Sequence, residues 1–180
     1  MELSTQPLQL RPPVAADLPE LFTLHADPTV WQHLPTSVHT APVQKAAKLE
    51  AWIADWERDG LGTWIVRSAA DGALLGHAGC TVRQGCFWNL GYRFSPAAQG
   101  RGYATEVSLL AVEAARKRRP ELPIVAYLLE HNVASARVAE KVGLRLRHRA
   151  PDAGNSDPAA VRLVYADREL SDPELTATLR

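Results

Sequence analysis

The 180-residue chain lacks the features that mark secreted, membrane-spanning or nucleic-acid-binding proteins. Its two cysteines, Cys80 and Cys86, are too few for a disulfide framework or a cysteine-rich metal site. Lysine plus arginine and aspartate plus glutamate number 20 each, so no basic excess favours nucleic acid. No apolar run approaches the roughly 20 residues of a membrane span. Residues 1–15 hold no charged segment followed by an apolar one, so we expect a cytoplasmic protein that is not secreted.

The features that are present indicate one domain with its own core. Hydrophobic residues make up 46% of the chain, which excludes wholesale disorder. We expect a domain over residues 1–170, a loose tail over 171–180, and a monomer or homodimer. The spacing of apolar residues and of turn signals predicts seven strands and four helices. In chain order these are a strand at 7–11, a helix ending near 26, a helix at 43–59, strands at 63–67, 74–82 and 86–94, a helix at 105–118, a strand at 122–129, a helix at 133–142, and strands at 144–149 and 160–166.

This order predicts an α/β (α+β) fold with a mixed, mostly antiparallel sheet. Asp17 and Glu20 have the spacing of a capping box at the start of the first helix. Trp31, Trp52 and Trp56 are interpreted as core residues, with the wall of a groove as the alternative.

A glycine-rich loop lies between a predicted strand and a predicted helix, where residues 99–104 read Gln-Gly-Arg-Gly-Tyr-Ala. The first N–H groups of a helix lack internal partners, and the helix dipole places partial positive charge there. Gly100 and Gly102 have no Cβ, so phosphate oxygens can approach the backbone, and Arg101 adds a charged donor. The loop therefore predicts a phosphate or pyrophosphate site, with an ordinary glycine-rich helix start as the alternative.

Three phosphate-binding patterns can be compared with this loop. No lysine follows the glycines, as a Walker-type loop requires, and Thr105 stands where a dinucleotide fingerprint has a small residue. The pattern Gln/Arg-x-x-Gly-x-Gly/Ala fits, with Gln99, Gly102 and Ala104 in place. In this respect the sequence resembles the GCN5-related N-acetyltransferase (GNAT) superfamily, whose members hold the pyrophosphate of acetyl-CoA on such a loop.

A second block of sequence strengthens the resemblance. After the predicted strand at 122–129, residues 132–144 are similar to the family segment Asn-x-x-Ser/Ala…Glu-Lys-x-Gly-Phe, with Leu144 in place of phenylalanine. Residues 8–31 are similar to the beginning of the Rim-type branch, which acetylates the N-termini of ribosomal proteins. The resemblance covers about residues 6–169. It implies a GNAT domain in which the strands around Tyr92–Phe94 and Ile124–Leu128 splay apart and acetyl-CoA, as co-substrate, inserts between them.

The resemblance assigns cofactor-binding roles to residues of both blocks. The pantetheine arm would pair with the backbone near Phe94, and Asn132, a natural helix N-cap, would also hydrogen-bond this arm. The full set is Tyr92, Phe94, Gln99, Gly100, Arg101, Gly102, Tyr103, Ala104, Thr105, Asn132 and Ser135.

The catalytic acid and base are predicted as Ser135 and Glu130. Many relatives carry a tyrosine as acid where this chain has Ala139, so Ser135, Tyr103 or a water must protonate the leaving thiolate, or the thiolate leaves unassisted. Ser135 is otherwise a small packing residue. Glu130 ends a strand near the expected site, and Glu106 is a second candidate base; each is otherwise a solvated surface acid.

No metal is expected, because the histidines at 25, 33 and 39 cross an irregular stretch and no acid completes a ligand set. No cysteine is expected to carry the acetyl group. The sequence thus predicts an acetyl-CoA-dependent N-acetyltransferase that acts by direct transfer in a ternary complex, on a protein or peptide N-terminus. Residues 25–42 contain one acid, Asp27, which does not favour a polycation. The alternatives are an acetyltransferase of small-molecule amines, such as an antibiotic or polyamine, and a non-catalytic acyl-CoA-binding module.

Overall fold

The computed structural model describes residues 3–5, 7–31, 41–153 and 155–179. The strands are β1 (Leu3–Thr5), β2 (Leu8–Arg11), β3 (Thr63–Ser68), β4 (Leu74–Arg83), β5 (Phe87–Phe94), β6 (Ile124–Leu129), β7 (Arg145–Pro151) and β8 (Val161–Ala166). The helices are α1 (Leu18–Ala26), α2 (Pro42–Asp59), α3 (Tyr103–Arg118), α4 (Val133–Lys141) and α5 (Asp172–Thr178). In this part of the chain no helix is long and apolar enough to cross a membrane.

All eight strands form one sheet in the order β1-β2-β3-β4-β5-β6-β8-β7. Every neighbouring pair is antiparallel except β5 and β6, which are parallel. The predicted α/β class and mixed, mostly antiparallel sheet are confirmed. The elements that the sequence did not predict are β1 and α5, at the two ends of the described chain.

The central strands β5 and β6 separate soon after they meet. They pair only at Trp88–Ile124 and Asn89–Val125. Beyond that point β5 stays paired with β4 as far as Phe94, and β6 stays paired with β8 as far as Leu129. The sheet therefore opens in its middle, as predicted.

The sheet has a packed layer on each face, because successive side chains of a strand point to opposite sides. One face carries the largest hydrophobic cluster, which includes Trp64, Ala78 and Trp88 of the strands and Val107 of α3. The other face packs against α1 and α2 through Leu21, Leu49, Trp52 and Ile65.

The capping box predicted at Asp17 and Glu20 is wrong. Asp17 is the N-cap residue of α1, but its buried carboxylate makes no cap hydrogen bond to α1; it accepts from Arg11 and from the Val14 N–H at the start of the short 3-10 helix Ala15–Asp17. Glu20 instead forms a salt bridge with Arg67. Local spacing suggested a cap, but Arg11 of β2 and Arg67 of β3 bind Asp17, and Arg67 also binds Glu20.

The last residues do not form the loose tail that was predicted. Residues 172–178 form α5, in which Ala177 and Thr178 are buried. Ala177 joins a small cluster with Phe87 and Val164, and Arg162 donates to the Thr178 carbonyl at 2.7 Å. The domain boundary at residue 170 stays a prediction.

Candidate functional site

A cleft of about 710 Å³ opens where β5 and β6 separate. The end of β5, the loop before α3, and the first turns of α3 and α4 line it, together with Thr29 and Val30. Every residue predicted to bind a cofactor lines this cleft except Arg101. Its described lining contains no aspartate or glutamate.

The glycine-rich loop has the backbone that a phosphate site requires. Gly100 and Gly102 have φ angles of 72° and 83°, in the left-handed region that favours glycine. Gly102 is the N-cap of α3, so the N–H groups of Tyr103, Ala104 and Thr105 have no acceptor within the helix. A Cβ built on either glycine would meet no heavy atom within 4 Å. The space in front of these donors is open.

Gln99 and Arg101 flank the first glycine of this loop, and their side chains make different contacts. The Gln99 amide donates to the Phe94 carbonyl at 3.1 Å, which ties the loop to the end of β5. Arg101 is exposed, and its guanidinium carbon lies 5.9 Å from the centroid of the Tyr103 ring. Gln99 therefore shapes the loop, whereas Arg101 lies outside the cleft lining.

The beginning of α4 forms the opposite wall. The side-chain oxygen of Asn132 accepts from the Ser135 N–H at 3.1 Å, so Asn132 is the N-cap that its position indicated. This cap uses only the amide oxygen and leaves the amide N–H groups for another acceptor. The Tyr92 hydroxyl donates to the Ser135 carbonyl at 3.1 Å and so connects β5 to α4 across the opening. Burial raises the pKa of Tyr92 to about 12, and its phenol stays protonated at neutral pH.

The structure does not bring the two candidate bases into the cleft. Glu130 is exposed, outside the lining, and bound by Arg149 through two hydrogen bonds of 2.7 and 3.0 Å. The hydrogen bond from Arg149 lowers the pKa of this carboxyl, which makes it a weaker base. Glu106 is also absent from the lining. Glu130 is therefore not positioned to act as the base.

Sequence reasoning missed two basic residues of the cleft. Arg137 and Lys141 lie four residues apart on α4, share one side of that helix and line the cleft. Because Arg137 and Lys141 follow Asn132 and Ser135 on the same predicted helix, helical spacing could have indicated that they line the same cleft.

A second missed feature is a group of buried basic side chains formed by His25, Lys45 and His77, which we call the basic cluster. The Nε2 atom of His25 lies 2.9 Å from His77 Nε2 and 3.2 Å from Lys45 Nζ. Lys45 and His25 are 0% exposed and His77 is 7% exposed. Burial, then the positive charges of Lys48 and Arg93, lowers the pKa of Lys45 to about 6.

The basic cluster lies directly behind one wall of the cleft. Arg93 lines the cleft, is the register partner of His77 and donates to the Val30 carbonyl at 2.8 Å. The Arg93 guanidinium carbon lies 3.5 Å from the centroid of the Trp31 ring, and the Trp31 indole donates to the His25 carbonyl at 2.8 Å. His33 and His39, weighed with His25 as metal ligands, fall outside the described residues.

The cysteines lie apart from the cleft. Cys80 is fully buried, and burial raises the pKa of its thiol. The Cys86 thiol donates to the Gln84 carbonyl, and neither cysteine lines the cleft. A buried thiol with a raised pKa is a poor nucleophile.

Solved structures with the same architecture come from several bacteria. An acetyltransferase from Agrobacterium tumefaciens is 27% identical, with a TM-score of 0.75 over 94% of this chain and 95% of that one. A ribosomal-protein-S5-alanine acetyltransferase from Vibrio fischeri is 14% identical, with a TM-score of 0.78 over 96% and 98%. RimL, a ribosomal L7/L12 α-N-protein acetyltransferase solved with coenzyme A, is 19% identical, with a TM-score of 0.77 over 94% and 98%.

The family is shown by a direct match of the sequence to a family model. Residues 8–145 match the model of the acetyltransferase (GNAT) domain, and this range contains both walls of the cleft and the whole basic cluster. The protein is therefore a member of the GNAT acetyltransferase family.

Proposed function

We propose that this protein is an acetyl-CoA-dependent N-acetyltransferase that transfers the acetyl group directly to a primary amine in a ternary complex. The observation that carries the proposal is the left-handed glycine loop at the start of α3, which faces a cleft between two separated strands. Its open N–H groups suit a pyrophosphate. RimL was solved with coenzyme A, and a further structural neighbour, the microcin C7 self-immunity acetyltransferase MccE, was solved with acetyl-CoA and AMP; both support the same ligand class here.

The remaining parts of acetyl-CoA have matching surfaces. The pantetheine arm would lie along β5 near Phe94, where the strand lacks its β6 neighbour, and would reach the free amide N–H groups of Asn132. Ser135 and Tyr92 both line the cleft and carry hydroxyl protons. We keep Ser135 as a candidate acid for the leaving thiolate, and the position of Tyr92 makes it a second one.

Holding the amine against the thioester supplies much of the rate. In the best intramolecular reactions such positioning is worth about 7–11 kcal/mol of barrier. The amine nitrogen, once deprotonated, attacks the thioester carbonyl carbon; the C–S bond then breaks, and the thiolate takes a proton. No cysteine intermediate is needed, in keeping with the position of Cys80 and Cys86 outside the cleft.

The acceptor we propose is the α-amine of a peptide or protein N-terminus. A cleft whose described lining has Arg93, His131, Arg137 and Lys141 but no carboxylate suits a single amine better than a polycation. The names of the neighbours that act on ribosomal proteins agree with this class. A small-molecule amine is the second candidate, since MccE is named as a microcin C7 self-immunity acetyltransferase.

An acceptor panel tests this assignment. Peptides that begin with Ala, Ser or Met are expected to be acetylated with a kcat/KM at least about 10-fold above that of spermidine or an aminoglycoside, measured by release of free thiol. Higher kcat/KM for the small amines would establish the second candidate. Acetyl-CoA binding without thiol release for any acceptor would leave only a binding module.

Arg137 and Lys141 are expected to bind the 3′-phosphate of acetyl-CoA, because the glycine loop already holds the pyrophosphate. The double change to glutamine should raise the KM for acetyl-CoA roughly 10-fold, by loss of charge-assisted hydrogen bonds. It should leave the KM for 3′-dephospho-acetyl-CoA nearly unchanged. Lys117→Gln, an exposed lysine at the far end of α3, is the control. Equal losses with both thioesters would contradict the assignment.

A further inference from the structure

The basic cluster is unusual because charge is expensive to bury, yet its three members are all basic. Among the described residues, the charges that act on His77 come from His25 of α1, Lys45 and Lys48 of α2, and Arg93 of β5. Those that act on Lys45 are Lys48 and Arg93. None of these is an acid. Neither His77 nor Lys45 therefore forms a buried ion pair with a described acid.

Residues 32–40, which connect the Trp31 turn to α2, also contain no aspartate or glutamate in the sequence. That segment contributes two histidines, His33 and His39, and no acid. Without an acid to compensate, burial and the nearby positive charges lower the pKa of Lys45 and of His77, so these two groups bind few protons before the substrate arrives.

The hydrogen bonds of the basic cluster allow it to take up one proton. With His25 Nε2 as acceptor, both His77 and Lys45 can donate to this one atom. Protonation of Lys45 adds a charge without reversing its donation to His25. The Lys45 ammonium would lie 3.9 Å from the centroid of the Trp52 ring, where a cation–π interaction offsets part of the lost hydration.

The basic cluster lies on the side of the cleft from which we expect the acceptor amine to approach. His77 and Arg93 are register partners on adjacent strands, so their side chains share the face covered by α1 and α2. The glycine loop and α4 lie at the other wall of the cleft. If acetyl-CoA occupies that wall, the amine must approach from the side of Arg93 and Val30. No member of the cluster lines the cleft; His77, with 7% exposure, lies next to Arg93, which does, so a proton would reach the cluster through one water beside Arg93.

We infer that the basic cluster of His25, Lys45 and His77 receives the proton that the acceptor ammonium must lose before it attacks the thioester. This inference rests on the proposed acetyltransferase function and supplies the proton acceptor that Glu130 does not. The ammonium N–H bond breaks and its electron pair forms the N–C bond. The C–S bond then breaks, the second amine proton neutralises the thiolate directly or through Ser135 or Tyr92, and the cluster returns its proton to solvent.

The protonation state agrees with this role. Burial is the main cause that lowers the pKa of Lys45 to about 6 and the pKa of His77 well below its ordinary value. At pH 7 Lys45 and His77 are therefore mostly unprotonated and able to accept. A base with a pKa close to the working pH is the most effective.

The test is the pH profile of kcat for the full-length protein with saturating acetyl-CoA and a peptide acceptor. Lys45→Met and His77→Gln are expected to reduce kcat roughly 10- to 100-fold at pH 7. The deficit should shrink to about 3-fold or less near pH 9.5, where the peptide amine is already deprotonated in solution. His148→Gln, on the far edge strand β7, is the control and should follow the wild type at every pH.

The two variants give independent readings, and circular dichroism checks that each is folded. A loss of kcat that is uniform across pH, or no loss, would overturn the role of the cluster and leave the acetyltransferase in place. If the wild type transfers acetyl to no acceptor, the proposed function fails and this inference fails with it. Recovery at high pH in both variants is the result that a purely structural role does not produce.

Discussion

Gly102→Val is expected to weaken acetyl-CoA binding at least roughly 100-fold, about 2.7 kcal/mol of binding free energy. The φ angle of 83° at Gly102 is one that a β-branched residue rarely adopts. A Cβ there would meet no heavy atom within 4 Å, and Gly102 lines the cleft, so the side chain would enter open space at the cleft wall. This is the space that the pyrophosphate is proposed to occupy. Isothermal titration calorimetry with acetyl-CoA measures the change.

Gly72→Val is a matched control for this experiment. Gly72 has a φ angle of 72°, its Cβ would also meet nothing within 4 Å, and it lies in the β3–β4 turn outside the cleft lining. Both variants should lose similar stability, about 1–2 kcal/mol for a side chain in the left-handed region. Only Gly102→Val should lose affinity. Unchanged affinity in Gly102→Val, or an equal loss in Gly72→Val, would remove the loop from the cofactor site.

Lys45→Met is expected to stabilise the protein by a few kcal/mol at pH 7 and to flatten its stability–pH curve. The pKa of Lys45 falls from 10.5 in the unfolded chain to about 6 in the folded one, with burial as the main cause. Between these values the unfolded chain binds more protons, so the stability of the wild type rises with pH from about 6 towards 10.5. Methionine is similarly long and unbranched and fills the space without a proton to lose.

Urea unfolding at pH 6, 7.5 and 9 checks this expectation. Lys117→Met, which removes a lysine that is 75% exposed and paired with Glu113, should change neither the stability nor its slope by much. An unchanged pH slope would show that Lys45 is charged in the folded protein, and a destabilised Lys45→Met would show that its contacts with His25 and Trp52 outweigh the cost of burying it. If the basic cluster also accepts the substrate proton, Lys45→Met will be more stable and slower at once. This combination is the trade-off expected where function maintains a costly group.

Features that depend on neighbouring residues were predictable from the sequence. The glycine loop is a local signal, since the positive φ angles and the helix start lie within six residues, and the structure places Gly100 and Gly102 as expected. The N-cap at Asn132 is equally local. For the same reason the order of strands and helices over residues 7–166 could be derived from periodicity.

Features that depend on distant contacts were not predictable. Glu130 looked like a base because it follows β6, but Arg149 reaches it from β7. The basic cluster joins residues that are 20 and 52 positions apart. Lys45 resembles an ordinary surface lysine, because lysine is rarely fully buried. No local pattern marks such a residue before the sheet and α2 are in place.

The two-pair contact between β5 and β6 has a consequence for the mechanics of the molecule. Beyond these two pairs, β5 and β6 have unpaired edges in the middle of the sheet, whereas the edges of a sheet are usually its outermost strands. The sheet is thus two antiparallel sections, β1–β5 and β6–β8, joined by a short parallel contact, by the hydrogen bond from Tyr92 to α4 and by the hydrophobic cluster that both sections share with α3. A co-substrate that occupies the interior edge acts as a missing strand and joins the two sections. Binding of such a co-substrate would then also stabilise the contact between the two sections, because a ligand that binds only the folded form stabilises it.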